Sequence, residues 1–73
     1  MSLETIGAPL PGKVLSVNVN QGDSVSEGNE VCTLEAMKME VPVLATVSGT
    51  IKEVPVSKGQ AVKSGETIVV IKY

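Results

Sequence analysis

Seventy-three residues carry a formal charge of −2, with no His, no Arg, one Cys and one aromatic residue, Tyr73. A chain this short encloses one core, which excludes a two-domain enzyme. Without imidazole and with a single thiol it builds neither a zinc ligand set nor a Ser-His or Cys-His nucleophile pair, and without Arg or stacking aromatics it is not made for nucleic acid.

Apolar residues are 42 % of the chain and nearly all aliphatic, including thirteen Val and four Ile, whose β-branching favours strands over helices. The first motif in chain order is Gly7-Ala8-Pro9-Leu10-Pro11-Gly12-Lys13-Val14, close to the phosphate-loop pattern G-x-x-x-x-G-K-[ST]. Val14 replaces the magnesium-binding hydroxyl, and the residues that follow read as strand where a phosphate site needs a helix N-terminus. Nucleotide binding is therefore set aside. Val17 and Val19 alternate about Asn18, but Val14 to Val17 is one residue too long for period two, which predicts a bend or a bulge. Asn20-Gln21-Gly22-Asp23 and Ser26-Glu27-Gly28-Asn29 are turn sequences, with Asp23 bonding nearby amides. A strand through Val31, Cys32 and Leu34 then leads to Glu35-Ala36-Met37-Lys38-Met39-Glu40.

Beyond that point the chain repeats itself. A shift of 37 positions superimposes Gly12 on Gly49, Gly22 on Gly59 and Gly28 on Gly65 without a gap. The same shift aligns Ala8 with Ala45, Val14 with Ile51, Val17 with Val54, Val19 with Val56, Val25 with Val62, Val31 with Ile68 and Leu34 with Ile71. Two half-units, about 1–36 and 37–73, thus form one domain spanning 1–73, each with about four short strands. The six shared glycines, Gly12, Gly22, Gly28, Gly49, Gly59 and Gly65, are assigned to turns, where positive φ suits them, with Gly49 needed for space or for positive φ. Each half makes a one-sided sheet that buries its apolar face only against the other, giving an all-β flattened barrel or sandwich about a pseudo-two-fold axis. That axis sets the junction hairpin at one end and both termini near the opposite end.

Cys32 has no partner for an internal disulfide and reads as a core residue in a reducing, cytosolic setting. No export signal is present, and the longest apolar run, Ile68 to Ile71, is far too short to span a membrane. The seven Glu and Asp23 show no spacing that suggests a catalytic dyad or a metal loop and read as solvated surface. The junction is different. Two Met flank one Lys where a hairpin turns; methionines there either plug the end of the barrel or offer polarizable apolar contact to a partner, with Lys38 presented between them.

Those residues resemble the biotinyl domains of biotin-dependent carboxylases, decarboxylases and transcarboxylases, whose attachment signature Ala-Met-Lys-Met stands intact as Ala36-Met37-Lys38-Met39. The resemblance runs from about Ile6 to Tyr73 and includes Ala8-Pro9, Gly12, Gly22-Asp23, Gly28 and Leu34-Glu35. It departs at Ala45-Thr46-Val47-Ser48-Gly49, where the family usually has Ala-Pro, and the gap-free repeat leaves no room for the protruding thumb of some acetyl-CoA carboxylase carriers. The resemblance implies a thumbless flattened barrel (barrel-sandwich hybrid) of two four-stranded antiparallel sheets with quasi-two-fold symmetry. It implies biotin in amide linkage on Lys38, with Glu35, Ala36, Met37 and Met39 recognised by a biotin protein ligase. A non-catalytic carrier follows, working with biotin carboxylase, carboxyltransferase or decarboxylase subunits in the cytoplasm, or at a membrane through such a partner. The alternatives are a lipoyl-type acyl carrier, whose signature is Asp-Lys-Ala, and an unmodified lipoyl-like interaction domain.

Overall fold

The computed structural model describes residues 1–73. Eight strands follow in order: β1 Leu3–Gly7, β2 Gly12–Val17, β3 Ser24–Val25, β4 Glu30–Ala36, β5 Met39–Leu44, β6 Gly49–Glu53, β7 Ala61–Val62 and β8 Thr67–Lys72. No helix is long and apolar enough to cross a membrane. The strands form two four-stranded antiparallel sheets, ordered β1-β8-β6-β3 and β5-β4-β2-β7. Renumbering each strand by four turns one order into the other, which is the quasi-two-fold arrangement.

The half-units do not make one sheet each, as their patterns suggested. Every sheet takes two strands from each half, so β1 pairs with β8 and β3 with β6 across the repeat boundary. β1, β3, β5 and β7 each find their only ladder partner in the other half, so neither half can pair all its strands alone and the backbone groups along those ladders are satisfied by the exchange. Loops add to the interlock. Gly22 N–H donates to the Ile51 carbonyl at 2.8 Å and its image Gly59 to Val14 at 2.7 Å, while Gly28 donates to Ala45 and Gly65 to Ala8, both at 2.8 Å. All four of these glycines have positive φ, between 84° and 94°. Each turn is also closed by a side chain that accepts from the amide three residues earlier: Asp23 from Asn20, Asn29 from Ser26, Gln60 from Ser57 and Glu66 from Lys63.

The predicted bulge is present: Val14 faces Leu34 but Ser16 faces Thr33, which leaves Leu15 unpaired. Lys52 is its image in β6. The core is a cluster of sixteen buried residues, and all sixteen fall into eight pairs related by the shift of 37; Ile6 with Val43 and Cys32 with Val69 join the pairs legible in the sequence. Burying each Val, Leu or Ile of that cluster contributes roughly 1.5–3 kcal/mol. Between the unpaired edges of β1 and β5 runs a shallow groove lined by further image pairs, Thr5 and Pro42, Gly7 and Leu44, Pro9 and Thr46. The sheets meet there without a strand ladder.

Gly12 and Gly49 correct the turn assignment. They open β2 and β6 and neither has positive φ. What they supply is space, because a Cβ at either position would overlap a backbone carbonyl oxygen, that of Glu35 or of Lys72.

Candidate functional site

β4 and β5 form a hairpin in the second sheet, with Glu35 opposite Glu40 and Ala36 opposite Met39. Only Met37 and Lys38 remain to reverse the chain. Both have positive φ, 53° and 63°, as a two-residue type I′ turn requires for its twist to match that of the strands. The usual occupants are Asn-Gly. Met-Lys carries no such local signal, so the left-handed conformation of both residues was not legible from the sequence; the register of β4 against β5 imposes it.

Lys38 is exposed at the tip, and its amine takes part in none of the side-chain hydrogen bonds. Met37 is 85 % and Met39 66 % exposed. The methionines therefore do not plug the end of the core. They flank the amine with apolar surface left open to water, which solvated surface seldom has reason to keep. Ala36, by contrast, is 4 % exposed and packs inward at the base of the turn. Glu35 and Glu40 are exposed and directly opposed, a like-charge pair one step behind the turn. Lys13 of β2 is the cross-strand partner of Glu35 on the other side.

The two-fold gives this site an image. Ala36 and Met39 map onto Tyr73 and Ser2, and those residues exchange backbone hydrogen bonds of 2.8 and 2.9 Å. Where the first hairpin turns through Met37 and Lys38, its image is open, at the chain ends. Of the six glycines of the repeat, Gly12 lies directly against the end of β4, at the Glu35 carbonyl and the Ala36 Cβ. The near phosphate-loop at Gly7–Val14 runs into β2 and no helix follows it.

A small body with an aliphatic core that presents the Lys38 amine on a two-residue turn between two exposed Met is suited to carrying an acyl group, and the comparisons with known proteins agree. Residues 4–71 match the family model described as "Biotin-requiring enzyme". The chain is 46 % identical over 67 residues to a biotin carboxyl carrier protein of Streptococcus mutans, covering 92 % of this chain and 52 % of that one, so it spans about half the relative's length. It is 43 % identical over 68 residues to the biotinylated protein TB7.3 homolog of Mycobacterium leprae, covering 93 % and 96 %. Among solved structures, the urea carboxylase of Kluyveromyces lactis superimposes with a TM-score of 0.91 at 30 % identity, over 99 % of this chain and 6 % of that one. With the family model matching nearly the whole chain, and a relative of the same size matching end to end, the chain belongs to the biotin carboxyl carrier (biotinyl) domain family of the biotin-dependent carboxylases, in which covalent biotin carries carboxyl groups.

Proposed function

We propose that Lys38 bears biotin through an amide and that the chain carries carboxyl groups between a site where they are loaded and one where they are delivered. The observation behind this reading is the exposed amine of Lys38 on a two-residue turn between exposed Met37 and Met39. Bound biotin supplies the ring nitrogen that accepts and releases the carboxyl group; the protein supplies mount, tether and address. The turn fits such a group because it holds the amine clear of the sheets, and acylation removes a charge that no hydrogen bond in the fold depends on.

From the Lys38 Cα, stem and acyl chain together reach on the order of 15 Å by bond-length counting, enough to enter an active site while the sheets stay outside. Longer transfers move the whole body on its connection to a partner, and that connection sets the effective concentration at each site. The partners are a biotin protein ligase, which reads Met37 and Met39 with Glu35, and carboxylase and carboxyltransferase or decarboxylase components. The Kluyveromyces lactis urea carboxylase is an example of an enzyme that contains a unit of this fold.

Intact mass after co-expression with a biotin ligase tests the reading, and one biotinoyl increment lost in Lys38→Arg is the expected result. Arginine retains the charge and the turn but cannot form the amide. A lipoyl increment, no increment, or avidin capture of Lys38→Arg would each refute it.

A further inference from the structure

We propose that Gly12 is a positioning residue for the attachment turn. The inference rests on the reading of Lys38 as the biotin-bearing residue and concerns what holds that lysine in place. Gly12 opens β2 beside the end of β4, so close that a Cβ there would lie 3.3 Å from the Ala36 Cβ and 3.1 Å from the Glu35 carbonyl carbon, and would overlap the Glu35 oxygen. Backbone freedom is not the reason for glycine, since φ is not positive. Space is.

The two residues it touches are the last before the turn. Ala36 is buried and paired with Met39, and only Met37 and Lys38 join them. A two-residue turn has no slack, so any outward shift of Glu35 and Ala36 passes directly into the direction of the Lys38 stem. Gly12 lets β2 serve as a flat bed for the end of β4, and the turn projects from that bed.

The fold contains its own control. Gly49 makes the image contact, where a Cβ would lie 2.9 Å from Ile71 Cγ2 and 3.0 Å from Tyr73 Cβ and would overlap the Lys72 oxygen. That strand pair ends at the chain termini, so the same steric insult moves no attachment turn. A merely structural glycine predicts equal consequences at the two positions; a positioning role predicts unequal ones.

The test compares wild type, Gly12→Ala and Gly49→Ala by three measurements. These are kcat/KM for biotinylation by a purified ligase with ATP and biotin, acylation of Lys38 by a biotin succinimidyl ester, and the thermal midpoint. Gly12→Ala is expected to lose roughly tenfold or more in ligase kcat/KM, since misplacement of about 1 Å is that costly, while Gly49→Ala stays within about twofold. Chemical acylation, which needs only an exposed amine, stays unchanged in both. Equal ligase rates in the two folded variants overturn the proposal. Should Gly12→Ala fail to fold, Ala36→Gly is the second variant, because it removes the buried methyl facing Gly12 without creating a clash; the same ligase loss supports the proposal and an unchanged rate overturns it. A wild-type chain that the ligase leaves unmodified overturns the attachment reading instead, a result distinct from wild type and variants modified alike.

Discussion

Met37 and Lys38 reverse the chain with both residues in the left-handed region, at φ 53° and 63°. For side chains with a Cβ this conformation costs roughly 1–2 kcal/mol per residue, and glycine relieves it at an entropic cost of about 0.5–1 kcal/mol. Lys38→Gly is therefore expected to raise stability by about 0.5–1 kcal/mol over Lys38→Ala, as urea denaturation would show. Equal midpoints for the two would mean that the turn is unstrained. Lys38, the proposed attachment residue, thus occupies a position where glycine would be the more stable choice.

Gly49 and Gly59 separate the two reasons for a glycine. Gly59 has φ 89° and open space around a Cβ, whereas Gly49 lacks space and has no positive φ. Gly59→Ala should cost about 1 kcal/mol. Gly49→Val forces β6 away from the end of β8 and should cost upwards of about 3 kcal/mol, loosening or unfolding the sheets. Comparable urea midpoints for the two variants would contradict the close-approach reading.

Exposure of Met37 and Met39 makes the turn at Lys38 sensitive to peroxide. Oxygen transfer from peroxide to each sulfur yields sulfoxide and water and turns a flexible apolar contact into a polar one. Peroxide-treated protein should retain its circular dichroism yet be a several-fold poorer ligase substrate, with methionine sulfoxide reductases restoring it. A Met37→Leu, Met39→Leu variant should show the same ligase rate before and after peroxide. Peptide mapping distinguishes these sulfurs from Met1, which is also exposed.

Cys32 supplies a pH dependence. Burial pushes its thiol above the ordinary value of 9.0, and the Glu30 carboxylate adds to the effect. The folded state then holds the thiol proton more tightly than the unfolded chain does. This contribution to stability is complete below about pH 9 and is lost as pH rises toward the folded value. Wild type should lose stability above pH 9 more steeply than Cys32→Ala, while the two run parallel at lower pH. Parallel curves throughout the alkaline range would exclude the effect.

Much of the fold was legible because the chain states its pattern twice. The bulge at Leu15 came from one misplaced apolar step between Val14 and Val17, and the turns at Gly22, Gly28, Gly59 and Gly65 came from local chemistry that the structure retains. Six of the eight core pairs followed from the repeat. Ile6 with Val43 and Cys32 with Val69 did not, because no shared glycine marks the first, and the second lies where two successive residues are buried and strict alternation fails.

The sequence by itself determined that the chain is all-β, duplicated, poor in catalytic side chains, and marked by one lysine between two methionines at its junction. Those properties are local or periodic, and a linear pattern records them. Tertiary structure alone decided that each sheet borrows strands from both halves, that Met37 and Lys38 are forced left-handed, and that Gly12 and Gly49 are needed for space rather than for turning. Each of these depends on which strand lies beside which. Pairing partners distant in sequence are chosen by the global satisfaction of edges and core, and no short stretch of residues encodes that choice.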